Sequence, residues 1–378
     1  MIKYFCPILV TLAFAQVSSG IDQSVLVRQK EGSCKLRDFG LRPDGWLQGI
    51  GMWFGADLVL KTSWYVASES WNHNQNCIYA GGMVLSSRHA DLYYCYNVAF
   101  FDTEENLIAC NSDIAAWAPG PGGAECALGP VKDATESSVT CIMPIPKGLC
   151  QNVNSYKVAY YESNVAIGKA VWDEHKMLRA ESRNGNTGKT TVRSLPCWKS
   201  DGELRGSPFQ VRAGSRLLPI DAKENWQAET TEGTCSLIKT AASNTGEAQY
   251  QKFSIAVGNA LKLKADCRFK INQDNAIETW VSFKNASDKK RFGTLYIAFF
   301  DRYGNLVGST HADTALEPNG TMPRVTQDGQ PQSDAYAHAY QTIMPMPIPL
   351  GFDKNITSYK ITLYESDRPI GENKAEGR

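Results

Sequence analysis

Residues Ala99–Ile108 read AFFDTEENLI, and residues Ala298–Val307 read AFFDRYGNLV. In both, an apolar run stops at an aspartate, a short polar stretch follows, and the chain then turns apolar again. Asp102 is trailed by Glu105-Asn106 and Asp301 by Gly304-Asn305. Asp and Asn side chains bond their own backbone at chain reversals, and Gly supplies positive φ. Both stretches therefore predict a hairpin turn in preference to a catalytic carboxylate.

The recurrence extends outward. EGSCKL at Glu31 returns as EGTCSL at Glu232, and GADLVLK at Gly55 returns as GNALKLK at Gly258. MPIPKGLCQNVNSYKVAYYES at Met143 returns as MPIPLGFDKNITSYKITLYES at Met346. Four blocks in the same order at near-constant spacing predict an internal tandem duplication.

The repeated blocks carry period two. Tyr156, Val158 and Tyr160 alternate with Lys157, Ala159 and Tyr161; Tyr359, Ile361 and Leu363 alternate with Lys360, Thr362 and Tyr364. Tyr96, Val98 and Phe100 match Leu295, Ile297 and Phe299 in the same way. Such alternation marks strands with one face on a core. Helical periodicity is confined to WDEHKMLRAES, Trp172–Ser182. The expected fold is all-β, two tandem antiparallel β-sandwich domains. Copy one spans 21–170, a polar linker with a short strand spans 171–230, and copy two spans 231–378. Residues repeated once per domain, Glu162 and Glu365 among them, then belong at equivalent corners of separate sandwiches. Glycosidase carboxylates must instead face each other across about 5–10 Å.

The proline-rich MPIP motif cannot sit in a central strand. It reads as an edge segment that blocks open-edge pairing, or as a polyproline ligand for an aromatic groove.

Residues 1–20 have the layout of a secretory signal peptide, a lysine followed by an apolar run and then small residues. Outside Cys6 the ten cysteines are Cys34, Cys77, Cys95, Cys110, Cys126, Cys141, Cys150, Cys197, Cys235 and Cys267. An even number in an exported chain predicts disulfides. A Cys235–Cys267 bridge is expected in copy two, leaving Cys34 to find another sulfur such as Cys77. No CxxC pair or Cys/His spacing suits zinc, and the five histidines fall at unrelated positions of the two copies, so no metal and no cofactor are expected. Asn285, Asn319 and Asn355 fit the N-glycosylation acceptor pattern.

Lys and Arg total 39 and Asp and Glu total 39, with no basic cluster, which argues against nucleic acid. No stretch after the leader is apolar enough to span a bilayer. RNGNTGKTT ends like a phosphate-binding loop, yet Arg183 stands where the pattern needs its first Gly. Trp46, Trp53, Trp64 and Trp71 crowd copy one. Most belong in a core, but such rings also stack on sugars at binding surfaces.

The run WVSFKNASDKKRFGTLYIAFFDRYGNLVGS, followed by the proline-rich segment and SYKITLYES, resembles the FxLYD-type small extracellular β-sandwich domains. The resemblance covers about the last ninety residues of copy two, in the layout many immunoglobulin-like sandwiches share. Copy one departs from it with Gly81-Gly82 where copy two has Trp280-Val281. What it implies is an adhesive or accessory surface domain without catalysis. The functional expectation is a secreted, non-catalytic binding or structural protein of a cell surface, the periplasm or an extracellular matrix. Its partner would be an extracellular protein or a glycan. The alternatives are a carbohydrate-binding module using the four tryptophans and, further off, an extracellular hydrolase.

Overall fold

The structure is a computed structural model that describes residues 26–33, 52–54, 60–69, 76–86, 93–116, 136–163, 165–170, 211–218, 225–237, 253–320 and 341–371. Within them the chain is all-β. The first half contributes β1 (Leu26–Ser33), β2 (Met52–Phe54), β3 (Leu60–Glu69), β4 (Asn76–Ser86), β5 (Tyr93–Phe101), β6 (Leu107–Ala116), β7 (Glu136–Pro144) and β8 (Ser155–Ser163). The second contributes β9 (Gly214–Leu217), β10 (Trp226–Thr234), β11 (Phe253–Val257), β12 (Leu263–Ile271), β13 (Ala276–Asn285), β14 (Arg291–Asp301), β15 (Leu306–Leu316), β16 (Gln341–Pro347) and β17 (Ile356–Ser366). The segment read as linker thus supplies β9 and the start of β10. The WDEHKMLRAES stretch and the leader lie outside the described residues.

The strands form four sheets, all with antiparallel neighbours. In the first half the orders are β1-β8-β5-β6 and β2-β3-β4-β7; in the second, β15-β14-β17-β10-β9 and β11-β12-β13-β16. The halves agree strand for strand, β9 excepted. β7 and β16 end their sheets, so both MPIP motifs close an edge strand, where a missing N–H costs no ladder bond. Past each motif a glycine in the left-handed region, Gly148 (φ 83°) or Gly351 (φ 84°), starts the same short 3-10 turn.

In the second half, Leu295, Ile297 and Phe299 of β14 and Ile361 and Leu363 of β17 meet Phe269, Val281, Phe283 and Met346 of the facing sheet in one buried cluster. This is the core that the period-two pattern predicts. The other face departs from expectation. Tyr296, Ala298, Phe300 and Tyr364 are also buried, and they join a cluster with Tyr96, Phe100, Phe101, Ile108 and Cys110 of the first half. The inner sheets of the two halves therefore stack on one another, and the expected separate sandwiches share a core. Phe101 meets Phe300 across the junction at 6.1 Å between ring centres. Each such aromatic ring removed from water contributes on the order of 2 kcal/mol.

Candidate functional site

Polar residues that the two halves have in common meet at the junction between the inner sheets. Asp102 stands at the end of β5. Its Oδ1 accepts hydrogen bonds from the backbone N–H of Glu104 and Asn106, both at 2.8 Å, and its Oδ2 accepts one from Asn106 Nδ2 at 2.6 Å. Asp301 repeats the arrangement with Tyr303 and Asn305 at 2.9 Å and with Asn305 Nδ2 at 2.8 Å. The third turn residue is left-handed in both, Glu105 at φ 63° and Gly304 at φ 77°. The aspartates are turn-makers, as their sequence context predicts.

Each turn then serves the opposite half. Lys157 donates to the carbonyl of Gly304 at 2.7 Å, and Lys360 donates to the carbonyl of Glu105 at 2.6 Å. Tyr161 donates its hydroxyl to the Val307 carbonyl and Tyr364 to that of Ile108, both at 2.8 Å. These pairs exchange under a pseudo-two-fold relating the halves, the geometry of an isologous interface. Each lysine also meets a glutamate of its own half: Lys157–Glu31 at 3.0 Å and Lys360–Glu232 at 2.8 Å.

Departures from symmetry are local. Ser309 donates its N–H to Asn97 Oδ1 at 3.0 Å and its hydroxyl to the Asn111 carbonyl at 2.6 Å. Cys110 Sγ donates to the Ile297 carbonyl at 3.1 Å. In the second half only, Arg216 of β9 donates to Glu232 Oε1 at 2.6 Å and, through Nε at 3.1 Å and Nη2, to Asn106 Oδ1.

Burial governs the electrostatics. It pushes the Lys157 and Lys360 ammonium groups below their usual range, with their glutamates pulling the other way. It raises the Asp301 carboxyl against the turn donors and Lys157, and it raises the Tyr161, Tyr296 and Tyr364 phenols. Each aspartate commits three of its acceptor sites to donors of its own turn. The arrangement fastens two sheets together.

The other expected residues are dispersed. Trp53 and Trp64 belong to β2 and β3, where Met52 pairs with Trp64; Trp46 and Trp71 lie outside the described residues. Glu365 is buried and accepts the Leu263 N–H at 2.6 Å, a structural bond between facing sheets. Of the histidines only His311 is described. It lies 3.7 Å from Asp313 and stacks obliquely near Tyr296 at 5.7 Å. No three His, Cys, Asp or Glu side chains are grouped to hold a metal ion among the described residues.

The Cys235–Cys267 bridge and the Asn285 acceptor need correction. Among the described residues no disulfide is formed; Cys267 is a thiol in the buried cluster and Cys235 a half-buried thiol packed against it. Cys235 follows β10 in one sheet and Cys267 lies within β12 of the facing sheet. Burial raises the Cys235 thiol to about 12 and that of Cys267 further still, so neither ionises readily. Cys77, Cys95, Cys110, Cys141 and Cys150 occupy first-half strands and a turn; Cys34, Cys126 and Cys197 lie outside the described residues. Asn285 is unsuited to carry a glycan. Its side chain is buried and its Nδ2 donates to the carbonyls of Lys289, Leu316 and Glu317 at 2.7, 3.1 and 3.0 Å. Asn319 is exposed in a turn with φ 54°, and Asn355 is half-buried.

Sequence reasoning did not single out Lys157, Lys360, Glu31, Glu232 or Arg216. The available signal was a lysine and a glutamate kept at the same place in both copies on faces that needed no charge.

No family model matches this chain, and no curated protein matches it. A solved structure of the infectious bursal disease virus Gx strain aligns over 94% of this chain and 68% of its own, at 9% identity and a TM-score of 0.13. That likeness carries no argument about fold or function. No helix among the described residues is long and apolar enough to cross a membrane.

Proposed function

We propose that this chain is a secreted, non-catalytic binding or structural protein of a cell surface, the periplasm or an extracellular matrix. The observation that carries the reading is the fate of the duplicated acidic residues. Asp102, Asp301 and Glu232 are each engaged by turn amides or buried cations, which leaves them as supports. Such a junction favours a rigid double module that presents its outer sheets and loops to a partner. The matching strand orders of the two halves support an internal duplication as its origin. The apolar leader supports export, and Asn319 is the exposed acceptor available to a host that glycosylates.

A broad hydrolase substrate screen on purified protein, run beside an Asp102→Ala variant, tests the reading. Absence of turnover is expected. Turnover by the unaltered chain that disappears in the variant would overturn it. Peptide mapping under non-reducing conditions on the same sample should find an N-terminus near residue 20. A chain that still begins at Met1 would count against export.

A further inference from the structure

Among the described residues the halves match strand for strand with one exception, β9. On the second half, β9 covers the outer edge of β10 in the register Glu229↔Leu217, Thr230↔Arg216, Thr231↔Ser215 and Glu232↔Gly214. β1 is the counterpart of β10, and among the described residues it ends its sheet with nothing paired to its outer side. Such an open edge presents a row of backbone donors and acceptors to any extended chain.

β9 also delivers Arg216, whose guanidinium joins Glu232 to Asn106 Oδ1. Both acceptors have counterparts at the open edge: Glu31 for Glu232, and Asn305 for Asn106. Asn305 is 1% exposed, and its Nδ2 is turned to Asp301, so its Oδ1 faces away from the turn. That Oδ1 is buried without a hydrogen-bond partner, whereas Asn106 Oδ1 has Arg216. The Glu31 side chain is 21% exposed where Glu232 is 1% exposed. Lys157 fixes the two groups as neighbours. Its ammonium meets Glu31 at 3.0 Å and the carbonyl of Gly304, the residue before Asn305, at 2.7 Å. Among the described residues, the first-half copy of this site has every part but a cation-bearing strand.

We propose that the β1 edge receives an antiparallel strand from a partner protein, whose arginine donates to Glu31 and to Asn305 Oδ1 as Arg216 does in the other half. Main-chain pairing would supply the affinity of such a strand addition, and the fork of an arginine would set its register. The chemistry of β9, Gly-Ser-Arg-Leu, defines the class of ligand. It is a short extended segment with a small residue before the arginine and an apolar one after it. Lysine would serve less well, because it cannot span a carboxylate and an amide oxygen with a planar pair of donors. The stretch standing ahead of β1 as β9 stands ahead of β10, within residues 1–25, contains no arginine.

This partner inference extends the binding reading above. Its failure would leave that reading to the separate substrate screen. The test uses the full chain and a fluorescein-labelled peptide of the sequence VRAGSRLLP, with binding followed by anisotropy and by amide hydrogen exchange. One-to-one binding is expected, with exchange slowed across Leu26–Ser33. Replacing the peptide's second arginine by alanine should weaken binding about tenfold, and Glu31→Gln in the protein should do the same. If Glu31→Gln fails to fold, the two peptides compared on the unaltered protein still decide. Several outcomes overturn the proposal: no binding at millimolar peptide, equal binding of the alanine peptide, or protection changes at β9 in place of β1. So would a β1 edge already fully protected in the free chain, which would mean that this chain covers it. Protection that rises only with protein concentration would also overturn it, by assigning the edge to a second copy.

Discussion

Lys157 and Gly304 lie 147 residues apart in sequence, yet the lysine ammonium donates to the glycine carbonyl at 2.7 Å. The reciprocal contact, Lys360 to the carbonyl of Glu105, shows that the two halves hold each other through the turns between β5 and β6 and between β14 and β15.

The two lysines differ in what they leave behind. Removing Lys360 strands Glu232, which is 1% exposed, with Arg216 as its remaining cation, whereas Glu31 keeps access to water. Breaking a buried pair from one side costs several kcal/mol, and a wetter pair costs less. Lys360→Met should therefore destabilise by about 3 kcal/mol and Lys157→Met by about 1 kcal/mol. Urea unfolding midpoints of the two variants check this, and equal losses would refute the asymmetry.

The aspartate turns rank in the same order. Both accept three hydrogen bonds, but Asp301 is buried and Asp102 is half-buried. Leaving a buried donor unsatisfied costs about 1–3 kcal/mol. Asp301→Ala should cost about 3 kcal/mol and Asp102→Ala about 1–2 kcal/mol by thermal unfolding, with the loss in each case structural. Mutual rescue by added cosolute such as sucrose, which favours compact states, would agree with that origin.

His311 makes stability depend on pH in a definite sense. Burial lowers its folded-state pKa below the ordinary value of 6.5, with Asp313 opposing. Between the two values the unfolded chain binds the proton and the folded chain does not, so stability falls as pH drops below 6.5 and levels off below the folded pKa. His311→Gln should flatten the profile just below pH 6.5 while leaving the slope set by the carboxylates at lower pH. An unchanged profile would place the pH sensitivity elsewhere.

Separating the halves exposes the shared core. A fragment of residues 211–378 would carry Tyr296, Ala298, Phe300 and Tyr364 on an open face. A contiguous apolar patch of that kind associates, and a pseudo-two-fold face is complementary to its own copy. Sedimentation should find the fragment as a dimer at micromolar concentration, while the intact chain melts in a single transition. A stable, monodisperse monomer would contradict the fused junction.

Much of the architecture was legible in the sequence. The aspartate turns, the strands ahead of them, the MPIP edge segments and the matching order of the halves follow from local rules: period two, turn chemistry, and the missing N–H of proline. The junction was not. Lys360, Thr362 and Asn97 alternate with apolar residues as a solvent-facing set would, but the opposite half meets them with backbone carbonyls and amides. A polar group satisfied by a distant carbonyl and one satisfied by water leave the same trace in a linear pattern.

Sequence alone thus determined the strands of the repeated blocks and the aspartate turns, because those choices depend on neighbours a few positions away. It left open the stacking of one half on the other, the cross-junction lysines and the orphaned oxygen of Asn305. Those depend on groups some 150–250 residues apart brought within hydrogen-bond range, and only the folded chain decides which pairs meet.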